Sequence, residues 1–125
     1  MTELLPAQTR MSEVSLDVAD LEAMAQFYSD VLLLERLDEA DGTVRLGRGG
    51  RELVALRHRP DLPKVERRTA GLFHTALLHP DAETLATVLA SVAMRHPELY
   101  TGSGDHLVSQ AFYLDDPEGN GVELY

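Results

Sequence analysis

Residues 71–81, GLFHTALLHPD, and residues 103–125, SGDHLVSQAFYLDDPEGNGVELY, decide the fold that this chain is expected to adopt. These stretches place His74, His106 and Glu123 in short strand-like segments, and the turn signal DDPEGNG comes directly before the last segment. Imidazole and carboxylate groups on separate strands are suitable ligands for a divalent metal wherever the strands converge. The two stretches therefore predict a metal site if the fold brings these strands together.

The first half of the chain has the pattern of a strand, a helix and three further strands. Residues 13–18, EVSLDV, alternate between polar and apolar side chains, which is typical of a strand with one buried face. Asp20 is a suitable N-cap for a helix over residues 21–34, where apolar side chains recur every three or four positions. Short strands are expected around residues 36–38, 43–47 and 52–58, with glycine-containing turns at 41–42 and 47–50 between them.

The second half repeats this order. A strand is expected over GLFHTALL, a helix over residues 81–95, and further strands near residues 99–101, 107–114 and 121–125. The two strand–helix units align without a gap at an offset of 61 residues, as the pair Glu13 and His74 shows (74 − 13). The sequence thus predicts an α+β fold in one domain, residues 1–125, made of two βαβββ modules at about 10–60 and 70–125.

The two modules are expected to pair into one curved eight-stranded mixed sheet, with the helices on one face and a concave pocket on the other. Side chains alternate across a strand, so the apolar residues pack under the helices and the polar residues between them face the pocket. This alternation directs Glu13, His74 and Glu123 into the pocket, together with Ser15, Asp17 and Tyr125.

Composition and charge argue against several classes of protein. The net charge of −10 disfavours nucleic-acid binding, which depends on neutralising phosphates with Lys and Arg. The absence of cysteine excludes disulfides and thiolate metal sites. No apolar run approaches the ~20 residues of a membrane span, and the first residues lack the pattern of a signal peptide. These features favour a cytoplasmic protein without a membrane partner.

A basic, proline-containing stretch, RHRPDLPKVERR at residues 57–68, is interpreted as a solvated linker, or alternatively as a lid that attracts an anionic substrate. His58, which lies within this stretch, and His79, which follows it, are both expected at the surface. His96 is expected at the end of a helix, where a cation interacts well with the helix dipole.

Two further groups of residues have structural interpretations. Phe27 and Tyr28 have the spacing of core residues on the first helix. Asp115, Asp116 and Glu118 are interpreted as turn residues, and their carboxylates are expected to be solvated.

Three segments together resemble the vicinal-oxygen-chelate superfamily, which contains glyoxalase I, bleomycin-resistance proteins and type I extradiol dioxygenases. The segments are LPAQTRMSEVSLDVADLEAMAQFY, GLFHTALLHPDAETLATVL and GDHLVSQAFYLDDPEGNGVELY, and they cover nearly the whole chain. The resemblance is strongest to the first half of catechol-2,3-dioxygenase-like ring-cleaving proteins. Close relatives are often longer, with a second pair of modules, so the chain is either a stand-alone protein or part of a longer one.

The resemblance implies a metal centre formed by the first and last strands of the modules. The ligand positions of the family correspond to Glu13, Ala55, His74 and Glu123 in this sequence. His74 and Glu123 have the expected side chains, and Glu13 stands where dioxygenases usually have histidine. Ala55 cannot bind a metal. The implied ion is Fe(II) or Mn(II), with Ni(II) or Zn(II) as alternatives.

The resemblance also implies the catalytic residues and the assembly. His106 corresponds to a histidine beside the substrate, where an imidazole that titrates near neutral pH transfers protons. Tyr113 lies near the position of an active-site tyrosine. Small members of the family form dimers, sometimes with sites built from both chains, so a homodimer is expected.

Three hypotheses follow. The first is a metal-dependent, extradiol-dioxygenase-like enzyme acting on a small aromatic or vicinal-oxygen substrate. The second is a metal-free protein of the same fold that binds a small molecule, and the third is a glyoxalase-type lyase or isomerase. The DHLVS segment favours the first hypothesis, whereas Glu13 and Ala55 weaken it.

Overall fold

The structure, a computed structural model, describes residues 4–64, 66 and 70–125. Its elements follow the order β1 (Val14–Val18), α1 (Leu21–Gln26), β2 (Glu35–Ala40), β3 (Thr43–Arg48), β4 (Arg51–His58), β5 (Thr75–Leu77), α2 (Ala82–Arg95), β6 (Tyr100–Asp105), β7 (Gln110–Asp115) and β8 (Gly121–Leu124). A π-helical turn, Phe27–Val31, continues α1, and a 3-10 turn, Pro97–Leu99, follows α2. The first module therefore contains β1 to β4 and the second contains β5 to β8, each in the predicted βαβββ order.

Each module forms its own four-stranded mixed sheet. The strand orders are β1-β4-β3-β2 and β5-β8-β7-β6. In both sheets the first and last strands of the module run parallel, and the other neighbours run antiparallel. The α+β class and the two modules are confirmed, although the strand pairing of the described residues gives two sheets of four strands rather than one of eight. No helix in the described ranges is long and apolar enough to cross a bilayer.

The alternation of side chains places the apolar faces as predicted. Leu16 and Val18 of β1 are buried, and Val122 and Leu124 of β8 are fully buried. All four belong to one hydrophobic cluster that also includes residues of both helices. Burying a valine or leucine side chain stabilises a fold by about 1.5–3 kcal/mol, so a one-residue slip of β8 would be costly. The core therefore fixes Glu123, between Val122 and Leu124, on the opposite face of the strand.

The first helix is shorter than the predicted span of residues 21–34. It begins as expected, because the Ala23 amide donates a hydrogen bond of 3.0 Å to the Asp20 carboxylate. The helix then widens into the π turn, in which the Leu32 amide donates to the Phe27 carbonyl, five residues earlier. The widened turn buries both Phe27 and Tyr28, which confirms their prediction as core residues.

The second module differs from the prediction around both of its candidate histidines. The strand expected over residues 71–78 is only Thr75–Leu77, so His74 lies directly before β5. The strand expected over residues 107–114 begins at Gln110, and His106 lies in the turn that precedes it. The reason is turn chemistry within DHLVS: the Asp105 carboxylate accepts from the Leu107 amide at 3.0 Å, and the chain reverses there.

The turn that precedes β8 forms a joint between the two modules. The prediction that the carboxylates of this turn are solvated was wrong. Asp116 is only 2% exposed rather than solvated. Its carboxylate accepts hydrogen bonds from the Tyr28 hydroxyl at 3.2 Å, from the amides of Glu118 and Asn120, and from the Asn120 side chain. Burial raises the pKa of Asp116, and these hydrogen bonds oppose that shift.

The same turn contacts the first module a second time. The Glu118 carboxylate accepts from the Ala19 amide at 2.9 Å and from the Asp20 amide at 2.7 Å, between β1 and α1. Glu118 is half-buried, so its carboxylate is also less solvated than predicted. Together, the contacts of Asp116 and Glu118 fix the start of β8 against the first module, and β8 carries Glu123.

Candidate functional site

His74 and Glu123 face each other at the start of the second sheet. The Nε2 atom of His74 lies 2.7 Å from Oε2 of Glu123, and the side chains are 28% and 15% exposed. The parallel register pairs Thr75 with Val122, which brings the residue before β5 alongside β8. Two residues separated by 49 positions in the sequence (123 − 74) therefore lie in direct polar contact.

Gly121 permits this close approach. A Cβ atom at position 121 would lie 2.5 Å from the Phe73 carbonyl oxygen and 3.2 Å from the Cβ atom of His74. Real Cβ atoms essentially never approach another atom so closely, so the backbone at Phe73 would have to shift. The absence of a side chain at Gly121 thus lets His74 lie against β8.

Tyr113 extends the pair from the neighbouring strand. It lies directly opposite Glu123 in the antiparallel pairing of β7 and β8, and its hydroxyl donates to Glu123 Oε1 at 3.2 Å. Removal from water and the nearby Glu123 carboxylate raise the pKa of Tyr113, so the phenol keeps its proton near neutral pH. Each carboxylate oxygen of Glu123 therefore has one polar partner: His74 lies beside Oε2, and Tyr113 donates a hydrogen bond to Oε1.

His106 adds a further hydrogen bond to this group of residues. Its Nε2 atom lies 2.8 Å from the Tyr113 hydroxyl oxygen. A phenol has one proton, and Tyr113 donates it to Glu123, so His106 Nε2 must be the donor to the Tyr113 oxygen. We refer to His74, Glu123, Tyr113 and His106 as the His–Glu–Tyr–His network. All four residues are candidates that the sequence had singled out.

Glu13 lies outside this network. It is exposed, it comes directly before β1, and its carboxylate accepts a hydrogen bond from the Ser12 hydroxyl. Ala55 is buried and lies opposite Ser15 in β1. Across residues 4–64, 66 and 70–125, no three His, Cys, Asp or Glu side chains are grouped closely enough to hold a metal ion. One chain thus brings together two of the three predicted ligands, and Glu13 is not the third within that chain.

Two open hollows lie beside the network rather than at it. The larger, of about 830 Å³, is bordered by the β1–α1 connection, Lys64 and the turn at Glu118. The smaller, of about 670 Å³, is bordered by Phe73, Thr101 and Gly121. None of the four network residues lines either hollow. Of the four, His106 is exposed and the other three are half-buried.

Exposed apolar side chains flank the network, and their functional position was not predicted from the sequence. Phe73 is 86% exposed, and its ring centroid lies 4.8 Å from that of His74. On the side of His106, Leu107 and Val108 are 99% and 92% exposed. Their position next to the two histidines in the sequence was the only available signal, because apolar residues are normally assigned to a core.

Comparison with known proteins identifies the family. The model of the Glyoxalase/Bleomycin resistance protein/Dioxygenase superfamily matches residues 10–124. The chain belongs to this superfamily. A curated relative, the catechol-2,3-dioxygenase of Bacillus subtilis (strain 168), is 39% identical over 119 residues. That alignment covers 94% of this chain but only 41% of the relative, so the chain spans about two fifths of the length of that protein.

Solved structures of superfamily proteins share the fold. A glyoxalase/dioxygenase from Nostoc punctiforme superposes with a TM-score of 0.77 at 19% identity, covering 99% of this chain and 95% of that one. A lactoylglutathione lyase from Agrobacterium tumefaciens superposes with a TM-score of 0.70 at 21% identity, covering 95% and 94%. At these identities the likeness concerns the fold of the superfamily and not its chemistry.

The remaining polar candidates have structural contacts within this superfamily fold. His58 is exposed, as predicted. His79 is half-buried, and its amide donates to the Tyr125 carbonyl at 2.7 Å. His96 caps α2, and its Nδ1 atom lies 2.8 Å from the Glu98 carboxylate, which lowers the pKa of Glu98.

The beginning of the basic stretch at residues 57–68 forms ion pairs with the first sheet. Arg57 and Arg59 form ion pairs with Asp17 at 2.8 and 3.7 Å. Residues 65, 67 and 68 of the stretch, which carry two of its arginines, lie outside the described residues. Whether the stretch acts as a linker or as a lid stays a prediction.

Proposed function

We propose that this chain is a metal-dependent, extradiol-dioxygenase-like enzyme that acts on a small aromatic or vicinal-oxygen substrate. The observation that carries the proposal is the His–Glu–Tyr–His network, which joins two metal-ligand types and two proton-handling groups in one surface-accessible chain. The similarity to a catechol-2,3-dioxygenase, at 39% identity, supports this reaction class over the other activities of the superfamily.

His74 and Glu123 are the proposed ligands of a divalent ion. Two ligand atoms that each bond one ion at ~2.1 Å lie ~3 Å apart, close to the 2.7 Å between His74 Nε2 and Glu123 Oε2. One imidazole and carboxylate oxygens suit Fe(II) or Mn(II), with Ni(II) and Zn(II) as alternatives. The bound ion would supply Lewis-acid activation and a template for two adjacent substrate oxygens.

Glu13 is proposed as a third ligand that comes from a second copy of the chain. Glu13 is exposed, and its own chain does not bring it to His74 and Glu123, so a homodimer would be needed to complete the set. The exposed Phe73, Leu107 and Val108 beside the network are surfaces that such a partner could cover. Neutralising Glu13 as Gln should then lower metal occupancy partly.

Tyr113 and His106 are the proposed proton-handling residues. Tyr113 holds Glu123 Oε1 through its hydroxyl, which keeps the carboxylate oriented and leaves Oε2 on the side of His74. His106 is exposed and hydrogen-bonds the Tyr113 oxygen, so it can exchange protons with solvent and with a substrate hydroxyl beside the network. In extradiol cleavage one ring carbon–carbon bond breaks and both atoms of one O₂ enter the product.

A metal-free binding protein of the same fold is the second candidate. It is favoured by the absence of any three-ligand group among the described residues and by alanine at position 55. In that case the Phe73 and His74 rings, with centroids 4.8 Å apart, would form a stacking surface for an aromatic ligand. A glyoxalase-type lyase or isomerase is the third candidate and shares the fold of the lactoylglutathione lyase.

Oxygen uptake distinguishes these candidates. The purified chain is reconstituted anaerobically with Fe(II) or Mn(II), mixed with a simple catechol, and exposed to O₂ in an electrode chamber. The proposal predicts one O₂ consumed per ring opened, and a turnover number about 10²–10⁴-fold lower for His106→Ala. His58→Ala, an exposed histidine outside the network, should retain wild-type turnover.

Two outcomes would count against the dioxygenase. If the reconstituted protein binds catechol but consumes no oxygen with either Fe(II) or Mn(II), the binding-protein candidate takes its place. If it converts the adduct of methylglyoxal and glutathione without O₂ uptake, the lyase candidate is correct.

A further inference from the structure

We propose that Gly104 is a positioning residue: the absence of a side chain at this strand position lets the His106 ring fold back over β6 and reach Tyr113. The inference rests on the role proposed for His106 and deepens it. It identifies the feature of the fold that brings an exposed turn histidine into the network.

The space above Gly104 is occupied by the His106 ring. A Cβ atom at position 104 would lie 3.0 Å from His106 Nε2 and 3.3 Å from its Cε1 atom. The same Cβ would lie at an ordinary contact distance of 3.7 Å from the Tyr113 ring. The atom in closest conflict is thus the one that hydrogen-bonds the Tyr113 hydroxyl at 2.8 Å.

The turn that carries His106 prevents a simple accommodation by the backbone. The His106 amide donates to the Ser109 carbonyl at 3.0 Å, and the Leu107 amide donates to the Asp105 carboxylate at 3.0 Å. Leu107 has a φ of 66°, in the left-handed region that leucine rarely adopts. With its backbone fixed in this way, the His106 ring itself must give by a few tenths of an ångström to admit a new Cβ, and this shift moves Nε2 away from the Tyr113 hydroxyl.

Alanine at position 104 should nevertheless be compatible with the fold. Gly104 is not among the glycines with positive φ, and its conflict is with the far end of a flexible side chain rather than with backbone. Replacing such a glycine with alanine also reduces the conformational freedom of the unfolded chain, which favours folding slightly. Gly104→Ala should therefore change the position of the His106 ring without destabilising β6.

The test compares Gly104→Ala and His106→Ala singly and together, with Gly71→Ala as the matched control because a Cβ there meets nothing within 4 Å. Crystal structures give the distance from His106 Nε2 to the Tyr113 oxygen. NMR of protein labelled at the tyrosine rings, recorded without metal, reports the environment of Tyr113. Both readouts are independent of activity, so they stand or fall separately from the dioxygenase assignment.

We expect Gly104→Ala to remain folded, to lengthen the His106–Tyr113 distance of 2.8 Å by a few tenths of an ångström, and to shift the Tyr113 ring signals in the direction that His106→Ala shifts them. In the His106→Ala background, Gly104→Ala should add no further shift, because no imidazole remains to be displaced. Gly71→Ala should leave the signals unchanged.

The proposal is overturned if the His106 Nε2–Tyr113 oxygen distance of 2.8 Å is unchanged in Gly104→Ala, or if the additional shift survives in the His106→Ala background. The second result would mean that the new methyl group distorts β6 itself. If Gly104→Ala reduces the amount of folded protein equally in wild type and in His106→Ala, that result would also mean that the methyl group distorts β6.

Discussion

The hydroxyl of Tyr28 in the first module donates a buried hydrogen bond of 3.2 Å to the carboxylate of Asp116 in the second. Both side chains are almost completely removed from water. Burial and the neighbouring Asp116 carboxylate raise the pKa of Tyr28, so the phenol remains a donor across the physiological pH range. This contact joins the modules at the turn that leads into β8, and hence holds the strand that carries Glu123.

Removal of the Asp116 carboxylate should destabilise the protein. Asp116→Ala leaves the Tyr28 hydroxyl and the Asn120 amide without their buried acceptor, at a cost of about 1–3 kcal/mol in the free energy of unfolding. Tyr28→Phe removes one of these donors and should cost about 1 kcal/mol. Urea denaturation of both variants, with Asp38→Asn as an exposed control, measures these values. Equal stabilities of Asp116→Ala and the control would exclude Asp116 as a joint between the modules.

Asp116 should also give stability a distinct pH dependence. Its pKa is raised above the reference value of 3.8 in the folded protein, chiefly by burial, so the folded state binds this proton more tightly than the unfolded state. The resulting contribution to stability is present at low pH and is lost as pH rises from about 4 through the folded-state pKa.

Denaturation of wild type and Asp116→Asn between about pH 3.5 and 7 isolates this effect, since the asparagine does not titrate. The stability of wild type relative to the variant should fall with rising pH. A relative stability that instead increases over this interval would mean that hydrogen bonds to the carboxylate outweigh its burial.

Gly121→Ala should displace His74 from Glu123. The new Cβ would conflict with the Phe73 carbonyl at 2.5 Å, and overpacking against backbone costs about 1–3 kcal/mol. A crystal structure should show the His74 Nε2–Glu123 Oε2 distance beyond 3.5 Å, with reduced metal affinity as a result. Gly71→Ala serves again as the control, because a Cβ atom at position 71 meets nothing within 4 Å. If the variant retains both the 2.7 Å distance and wild-type stability, Gly121 does not position His74.

Local patterns were sufficient to predict the strand faces. The alternation of Val122, Glu123 and Leu124 identifies which side of β8 is buried, because the period of two is a property of the strand itself. The approach of His74 to Glu123 followed from the same reasoning, combined with the repeated order of the modules. These relations needed no knowledge of distant contacts.

The features that sequence reasoning missed depend on distant or unusual backbone contacts. The burial of Asp116 depends on Tyr28, which is 88 positions away in the sequence. The placement of the His106 ring depends on a left-handed leucine at position 107 and on a glycine beneath the ring. A strand pattern in DHLVS gives no indication of either, because leucine is an unexpected residue at positive φ.

If His74 and Glu123 bind one divalent ion, the metal content of the protein should depend on both residues. Protein purified without chelator, and protein reconstituted with Fe(II) or Mn(II), is assayed for bound metal by elemental analysis. We predict about one ion per chain in wild type. We predict a sharp loss in His74→Ala, which removes the imidazole ligand, a partial loss in Glu13→Gln, and near wild-type content in His106→Ala. Wild-type protein that binds no divalent ion in either preparation would contradict the account.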